Sequence, residues 1–219
     1  MIARRIAPLN LDTLQDLPVP CRTCVFWELD PVTARATQRC GDGAMAKQAW
    51  LSAALLQWGS VGRVAYVDSS PAGYLMYAPP PLVPRATAFA TAPVSADAVL
   101  LMTGRVLPAF AGFGLGRMLM QAVAKDLTQR GVRAIEAFGQ RAGIGDDDRA
   151  EPAQPAATTG ACLLPVDYLL AVGFTTVRPH PLQPRLRLDL RTALSWREDV
   201  EHALERLLGS VRAPVLTRG

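Results

Sequence analysis

"RVLPAFAGFGLGRMLM", residues 105–120, sets Gly112, Gly114 and Gly116 at alternate positions between an apolar run and a helical pattern. A strand that ends in such a turn and feeds a helix aims backbone N–H groups and the positive end of the helix dipole at one point, which suits a phosphate. A plain tight turn is the other account of a glycine cluster. Spacing narrows the nucleotide readings. The dinucleotide pattern G-x-G-x-x-G needs glycine at 117 after Gly112 and Gly114, where Arg117 stands; counted from Gly114, the third place falls on Leu119. No Gly-Lys-Ser/Thr follows, which removes the P-loop. Ala111 and Phe113 occupy positions where a cationic cradle would carry Arg or Lys.

The flanks extend the turn into a unit. "AVLLMTGRV", 98–106, reads as a buried strand, and from Gly114 onward Leu115, Met118, Leu119, Ala122, Val123 and Leu127 share one helical face, with Gly131 as the stop. "VRAIEAF", 132–138, is a strand again, so a β-α-β unit with two parallel neighbours is expected. Upstream, an edge strand at 2–6, a short helix at 11–17 and a helix at 43–59 are expected, the last with Met45, Trp50, Ala53, Leu55, Leu56 and Trp58 as its apolar surface. Residues 61–68 and 72–79 form a hairpin turning at Ser69–Pro71, and the proline-rich tract 78–97 is a loop. Downstream come a polar loop at 139–161, a two-turn helix within 165–174 ended by Gly173, and two strands in 175–191 around a proline-rich turn. "SWREDVEHALERLLGSV", 195–211, is an amphipathic helix with Ser195 as cap and Glu198 placed for a capping box.

Composition bounds the rest. At 219 residues one domain is expected, with 1–192 as its body and 193–219 as a helix and tail packed on it or against a second copy of the chain. No apolar run reaches the ~18 residues that span a bilayer, and the first residues lack the apolar core of a signal peptide, so a soluble, cytoplasmic protein is expected. The net charge of +4 falls far short of the basic stripe that nucleic acids require. Arg178, Arg185, Arg187 and Arg191 alternate with apolar residues and read as a solvated strand face. Cys21 and Cys24 make a C-x-x-C, for which zinc, a redox pair and ordinary thiols are open readings. With Cys40 and Cys162 isolated in the sequence and only His180 and His202 as imidazoles, no metal is assigned.

The turn resembles the acyl-CoA-binding signature of the GNAT superfamily of N-acyltransferases, Arg/Gln-x-x-Gly-x-Gly/Ala at a strand end. Gly114 and Gly116 match its small positions and Arg117 the polar position after them, with Val106–Ala109 as strand end and bulge. "YLLAVGF", 168–174, is similar to a second motif, Tyr-x-x-x-Gly-Phe, and the order of elements agrees over most of 1–192. "CVFWELDP" and "VGFTTVRPHPLQPRLRLDL" also resemble segments of a poorly characterised bacterial GNAT-like group. The resemblance implies an α/β fold with a mixed central sheet flanked by helices, here with a C-terminal helix added. It implies an N-acyltransferase that moves an acyl group, most simply acetyl, from CoA to a small-molecule or peptide amine by direct attack, with acetyl-CoA or another short acyl-CoA as cosubstrate. Backbone amides of Gly112, Phe113, Gly114, Leu115, Gly116 and Arg117 would hold the pyrophosphate, and the strand end at Val106 and Leu107 would splay from its neighbour and take the pantetheine.

Two positions depart from the signature: Ala111 stands at the Arg/Gln position, and Leu169 where the phenol would be, with Tyr168 one residue earlier. Tyr168 is therefore either the acid for the departing thiolate or a packed tyrosine. Glu136, interrupting the apolar "AIEAF", either enters the cleft as a base or lies on a polar face. Glu28, beside Trp27 and Asp30, lines the acceptor pocket or belongs to a capped turn. A CoA-binding or protein-interaction module without catalysis is the competing reading.

Overall fold

The computed structural model describes residues 3–141 and 162–190, which form one mixed sheet with helices on both faces. The strands are β1 (Arg4–Pro8), β2 (Gly62–Val67), β3 (Ser70–Ala78), β4 (Ala98–Val106), β5 (Ala134–Gln140), β6 (Leu164–Pro165), β7 (Thr175–Arg178) and β8 (Arg185–Asp189). They run in the order β1-β2-β3-β4-β5-β8-β7, with β6 beside β5. Among the described strands only β4–β5 and β5–β6 are parallel. The helices are α1 (Val19–Thr23), α2 (Pro31–Cys40), α3 (Gly43–Gln57), α4 (Leu115–Gln129) and α5 (Val166–Ala171). The segment 195–211, and with it the expected C-terminal helix and dimer contact, lies outside the described residues, as do 142–161 of the expected loop.

Alternation along the strands sorts two cores. Leu100, Met102, Ala134 and Phe138 face one side, with Leu14 and Leu17 of a 3-10 turn, Trp27, and Leu51 and Ala54 of α3. Val99, Leu101, Ile135 and Ala137 face the other, with Leu119, Val123 and Leu127 of α4 and Leu169 of α5. Buried on both faces, β4 reads as a continuous apolar run, and each of Leu100, Leu101 and Met102 contributes about 1.5–3 kcal/mol by leaving water. A charge cluster fixes α4 on the sheet: Asp126 pairs with Arg63 at 2.6 Å and accepts from the Tyr77 hydroxyl at 2.7 Å.

Four expectations are corrected. The 11–17 segment is a 3-10 turn, Thr13–Asp16, because its capping bonds stay local: Thr13 N and Asn10 Oδ1 meet at 2.8 Å. The 19–42 stretch, where the sequence pattern leads to no helix, holds two; α2 begins at Pro31 with Asp30 Oδ1 accepting from Val32 N and Thr33 N. In α3 the inward face is Lys47, Leu51 and Ala54, while Leu56 is 89% exposed and Met45 also faces out. Arg185 is buried rather than solvated, because β8 lies against β5 and gives it an acidic partner, Glu136.

Candidate functional site

β4 and β5 run side by side for three rungs, ending at Leu100 opposite Glu136. Beyond that rung they part: β4 follows β3 to Val106, and β5 continues with β8 and β6. A bulge starts the divergence, since Tyr77 faces Leu101 and Met76 faces Thr103, leaving Met102 as the extra residue. The splay therefore begins at Leu101, five residues before the strand end at Val106 where the sequence placed it, and the bulge lies inside β4 rather than at Val106–Ala109.

Leu107 N donates to Ala72 O at 2.9 Å, which identifies Ala72 and Leu107 as a bonded pair of the β3–β4 ladder. Antiparallel rungs alternate, so Arg105 also turns its backbone groups to β3, whereas those of Val106 and Gly104 point to the side from which β5 has withdrawn. Val106 thus offers its N–H and C=O to the notch. Leu107 does not, since its N–H is taken by Ala72 and its carbonyl accepts from Phe110 N at 2.9 Å. Gly104 supplies the same pair of groups one rung earlier, a position the motif spacing did not single out. Its lack of a side chain is required, because a Cβ there would lie 2.8 Å from the Tyr74 carbonyl oxygen as well as 2.1 Å from a Leu75 methyl.

After a 3-10 turn at Pro108–Phe110 the chain reaches Ala111, Gly112 and Phe113, all exposed, and enters α4. Gly112 has φ +81° and Gly114, the residue before the helix, φ +72°, conformations that favour glycine. No side chain caps α4, so the N–H groups of Leu115, Gly116 and Arg117 lie at a free helix N-terminus. A fifteen-residue helix thereby presents its dipole and donors to the turn. Arg4 of the first strand donates from Nη1 to Phe113 O at 3.1 Å, bringing a guanidinium to a turn in which Ala111 carries no charge. Nothing local in the sequence pointed to Arg4, 109 positions away.

Tyr168, half-buried at the start of α5, donates its hydroxyl to Gly116 O at 2.9 Å. Burial pushes its phenol up to about 12. A Cβ on Gly116 would sit 3.1 Å from its ring, so glycine lets ring and helix meet without the ring having to shift. Leu169 packs inside the core with no exposure.

Glu136 is fully buried at the vertex of the notch, on the sheet face opposite α4. Its Oε2 accepts from Arg185 at 2.5 Å and from Ser95 N at 3.1 Å, and its Oε1 from Arg187 at 3.3 Å. Arg187 in turn grips Asp97 with two bonds of 3.0 and 2.9 Å. Glu28, 2% exposed, pairs through Oε1 with Lys47, while its Oε2 has no hydrogen-bond partner among the described residues. Lys47 also donates to Cys24 O at 3.0 Å. Next to Glu28, Trp27 packs nearly parallel to both Phe89 and the Phe138 ring of β5, which stack directly on each other at 4.2 Å. The structure therefore joins Tyr168 to the glycine turn and sets Glu28 and Glu136 on the other face. Asp30 caps α2.

No helix among the described residues is long and apolar enough to cross a membrane. The family model described as acetyltransferase (GNAT) family matches residues 34–144. No curated protein matches the chain by sequence. Among solved structures, the PaiA N-acetyltransferase of Thermoplasma acidophilum, in complex with coenzyme A, aligns with TM-score 0.52 and 11% identity over 85% of this chain and 99% of that one. The loading GNATL domain of CurA from Lyngbya majuscula gives TM-score 0.52 and 11% identity over 87% and 99%. The aminoglycoside acetyltransferase AAC(6')-Ib in complex with coenzyme A gives 0.50 and 13% over 88% and 98%. At these identities the three establish a shared fold: a mixed sheet flanked by helices.

Proposed function

The chain belongs to the acetyltransferase (GNAT) family, and we propose that it moves a short acyl group, acetyl first, from CoA to the amine of a small molecule or peptide by direct attack within a ternary complex. By family it is an acyl-CoA-dependent N-acyltransferase, with acyl-CoA as cosubstrate. The observation that carries the reading is the notch between β4 and β5, which opens at Leu101 and leads along Gly104 and Val106 into the uncapped N-terminus of α4.

In this reading the amides of Gly112–Arg117 and the α4 dipole bind the pyrophosphate, and Arg4 supplies the charge that Ala111 lacks. Val106 and Gly104 hydrogen-bond the pantetheine as an added strand would, placing the thioester in the notch. The amine nitrogen attacks the thioester carbon, the C–S bond breaks, and the thiolate leaves with CoA. An N–H of the splayed β4 edge stabilises the oxyanion as it forms. Glu28 is the carboxylate with an oxygen to spare, and we assign it the proton leaving the amine, received through water. Glu136, held by two guanidiniums and an amide, serves as the anion that sets the vertex. Tyr168 positions the turn through Gly116 rather than acting as acid. The protein works in the cytoplasm as one domain over 1–192.

Calorimetric titration of the full chain with acetyl-CoA tests the reading. Binding at micromolar to sub-millimolar ligand is expected, and none at millimolar ligand overturns it. Buried Leu169 favours a second reading, CoA binding without turnover. Mass-detected acylation of any amine in a panel, lost in Gly114→Trp, excludes that reading.

A further inference from the structure

Cys24 closes α1, and Cys162 lies two residues before β6, the short strand beside the free end of β5. Their Sγ atoms are 3.4 Å apart although 138 positions separate them. The arrangement is held from both sides: Trp27 Nε1 donates to Cys162 O at 3.0 Å, and Lys47 Nζ to Cys24 O at 3.0 Å. Both thiols are half-buried, which leaves them open to a small oxidant while screening them from bulky thiols. Among the described residues no third Cys, His, Asp or Glu completes a metal site with them. The C-x-x-C partner Cys21 faces the Tyr74 hydroxyl instead. Neither the glycine turn nor the acyl transfer uses this pair.

We infer that Cys24 and Cys162 form a reversible disulfide, an oxidation site on the β5 side of the notch, with hydrogen peroxide as the two-electron oxidant. Cys24 is the attacking sulfur. The hydrogen bond from Cys162, with help from Phe26 N–H and Lys47 against burial and Glu28, lowers its thiol to about 7, whereas the same bond raises Cys162. The Cys24 thiolate attacks peroxide oxygen, an S–O bond forms, the O–O bond breaks, and hydroxide leaves as water. The Cys162 sulfur then attacks the sulfenic sulfur, the S–S bond forms, and the second oxygen departs as water. Two thiols are oxidised and one peroxide is reduced. The sulfurs need approach by only about 1.4 Å to reach the ~2.05 Å of a disulfide.

The test is peptide mapping of the purified full chain under non-reducing conditions, after graded hydrogen peroxide and alkylation of remaining thiols. A Cys24–Cys162 crosslink is expected, with Cys21 still alkylatable and with reversal by dithiothreitol. The Cys162→Ser chain is expected to stop at a Cys24 sulfenic acid that dimedone captures. A bond from Cys24 to Cys21 overturns the inference. So does recovery of Cys24 and Cys162 as free thiols at a peroxide dose that has already oxidised the exposed Cys40.

Discussion

Gly114 has no heavy atom within 4 Å of where a Cβ would sit, so the cost of Gly114→Ala comes from its φ of +72° alone. That cost is about 1 kcal/mol in a thermal melt, with a loss of acetyl-CoA affinity as the turn relaxes. At Gly116 the constraint is contact: the Tyr168 ring must retreat from the new methyl. Tyr168→Phe separates the two roles a phenol can have here. Loss of its bond to Gly116 O costs about 1 kcal/mol of stability and raises the KM for acetyl-CoA, with kcat within about threefold of the parent. Were it the acid, kcat would fall by about 10²- to 10⁴-fold instead. With its pKa near 12 the hydroxyl stays protonated, so this behaviour is flat across pH 6–9. Cys24 behaves otherwise. Facing Cys162, Glu28 and Lys47, it titrates near 7 against 9.0 for a free thiol, so its alkylation slows as pH falls through 7. Since the folded form gives up this proton first, the stability it contributes is complete above pH 9 and disappears on descending through 7, a difference visible between parent and Cys24→Ser in melts across that range.

The β4–β5 pair shows how an element can hide a residue's purpose. Glu136 looks catalytic in "AIEAF" because a lone carboxylate in an apolar strand demands an explanation, and the strand alone cannot reveal the explanation that β8 supplies. Breaking a buried pair from one side strands the other charge, so Glu136→Gln is expected to cost about 3–5 kcal/mol and to lower Tm by roughly 10 °C. A base would behave in the opposite way, losing rate at an unchanged Tm. Legibility followed range. The β-α-β unit, the hairpin and the turn before α4 were readable because period and glycine spacing are local signals. α1 and α2 were not, being short and proline-started, and the C-x-x-C drew attention to a pairing that a residue 138 positions away takes over. The inward face of α3 was misread because Lys47 is buried by a partner, Glu28, that periodicity cannot foresee. The notch itself was anticipated, but the bulge that opens it at Met102 depends on cross-strand register, to which a single strand is blind.

At the scale of the molecule, the glycine turn is completed from the opposite end of the sheet. β1 lies at the edge, three strands from β4, yet Arg4 reaches Phe113 O because α4 and its turn cross the face that β1 borders. A ligand that binds only the folded chain stabilises it by RT ln(1 + [L]/Kd), about 2.7 kcal/mol at a hundredfold excess over Kd, so saturating acetyl-CoA is expected to raise Tm by roughly 5–10 °C. An exposed guanidinium against phosphate is worth about 0.5–1 kcal/mol, which makes Arg4→Ala a loss of about two- to fivefold in acetyl-CoA affinity. That loss should shrink with added salt, since the contact is with solvent-exposed charge. Apo stability is the control: an edge-strand side chain making one surface bond contributes little, so the unliganded Tm should stay within about 2 °C of the parent. Calorimetry at low and high salt on parent and variant decides the matter. Equal affinities at low salt would mean that the α4 amides and dipole hold the pyrophosphate unaided. A large fall in apo Tm would mean that Arg4 maintains the turn rather than meeting the ligand.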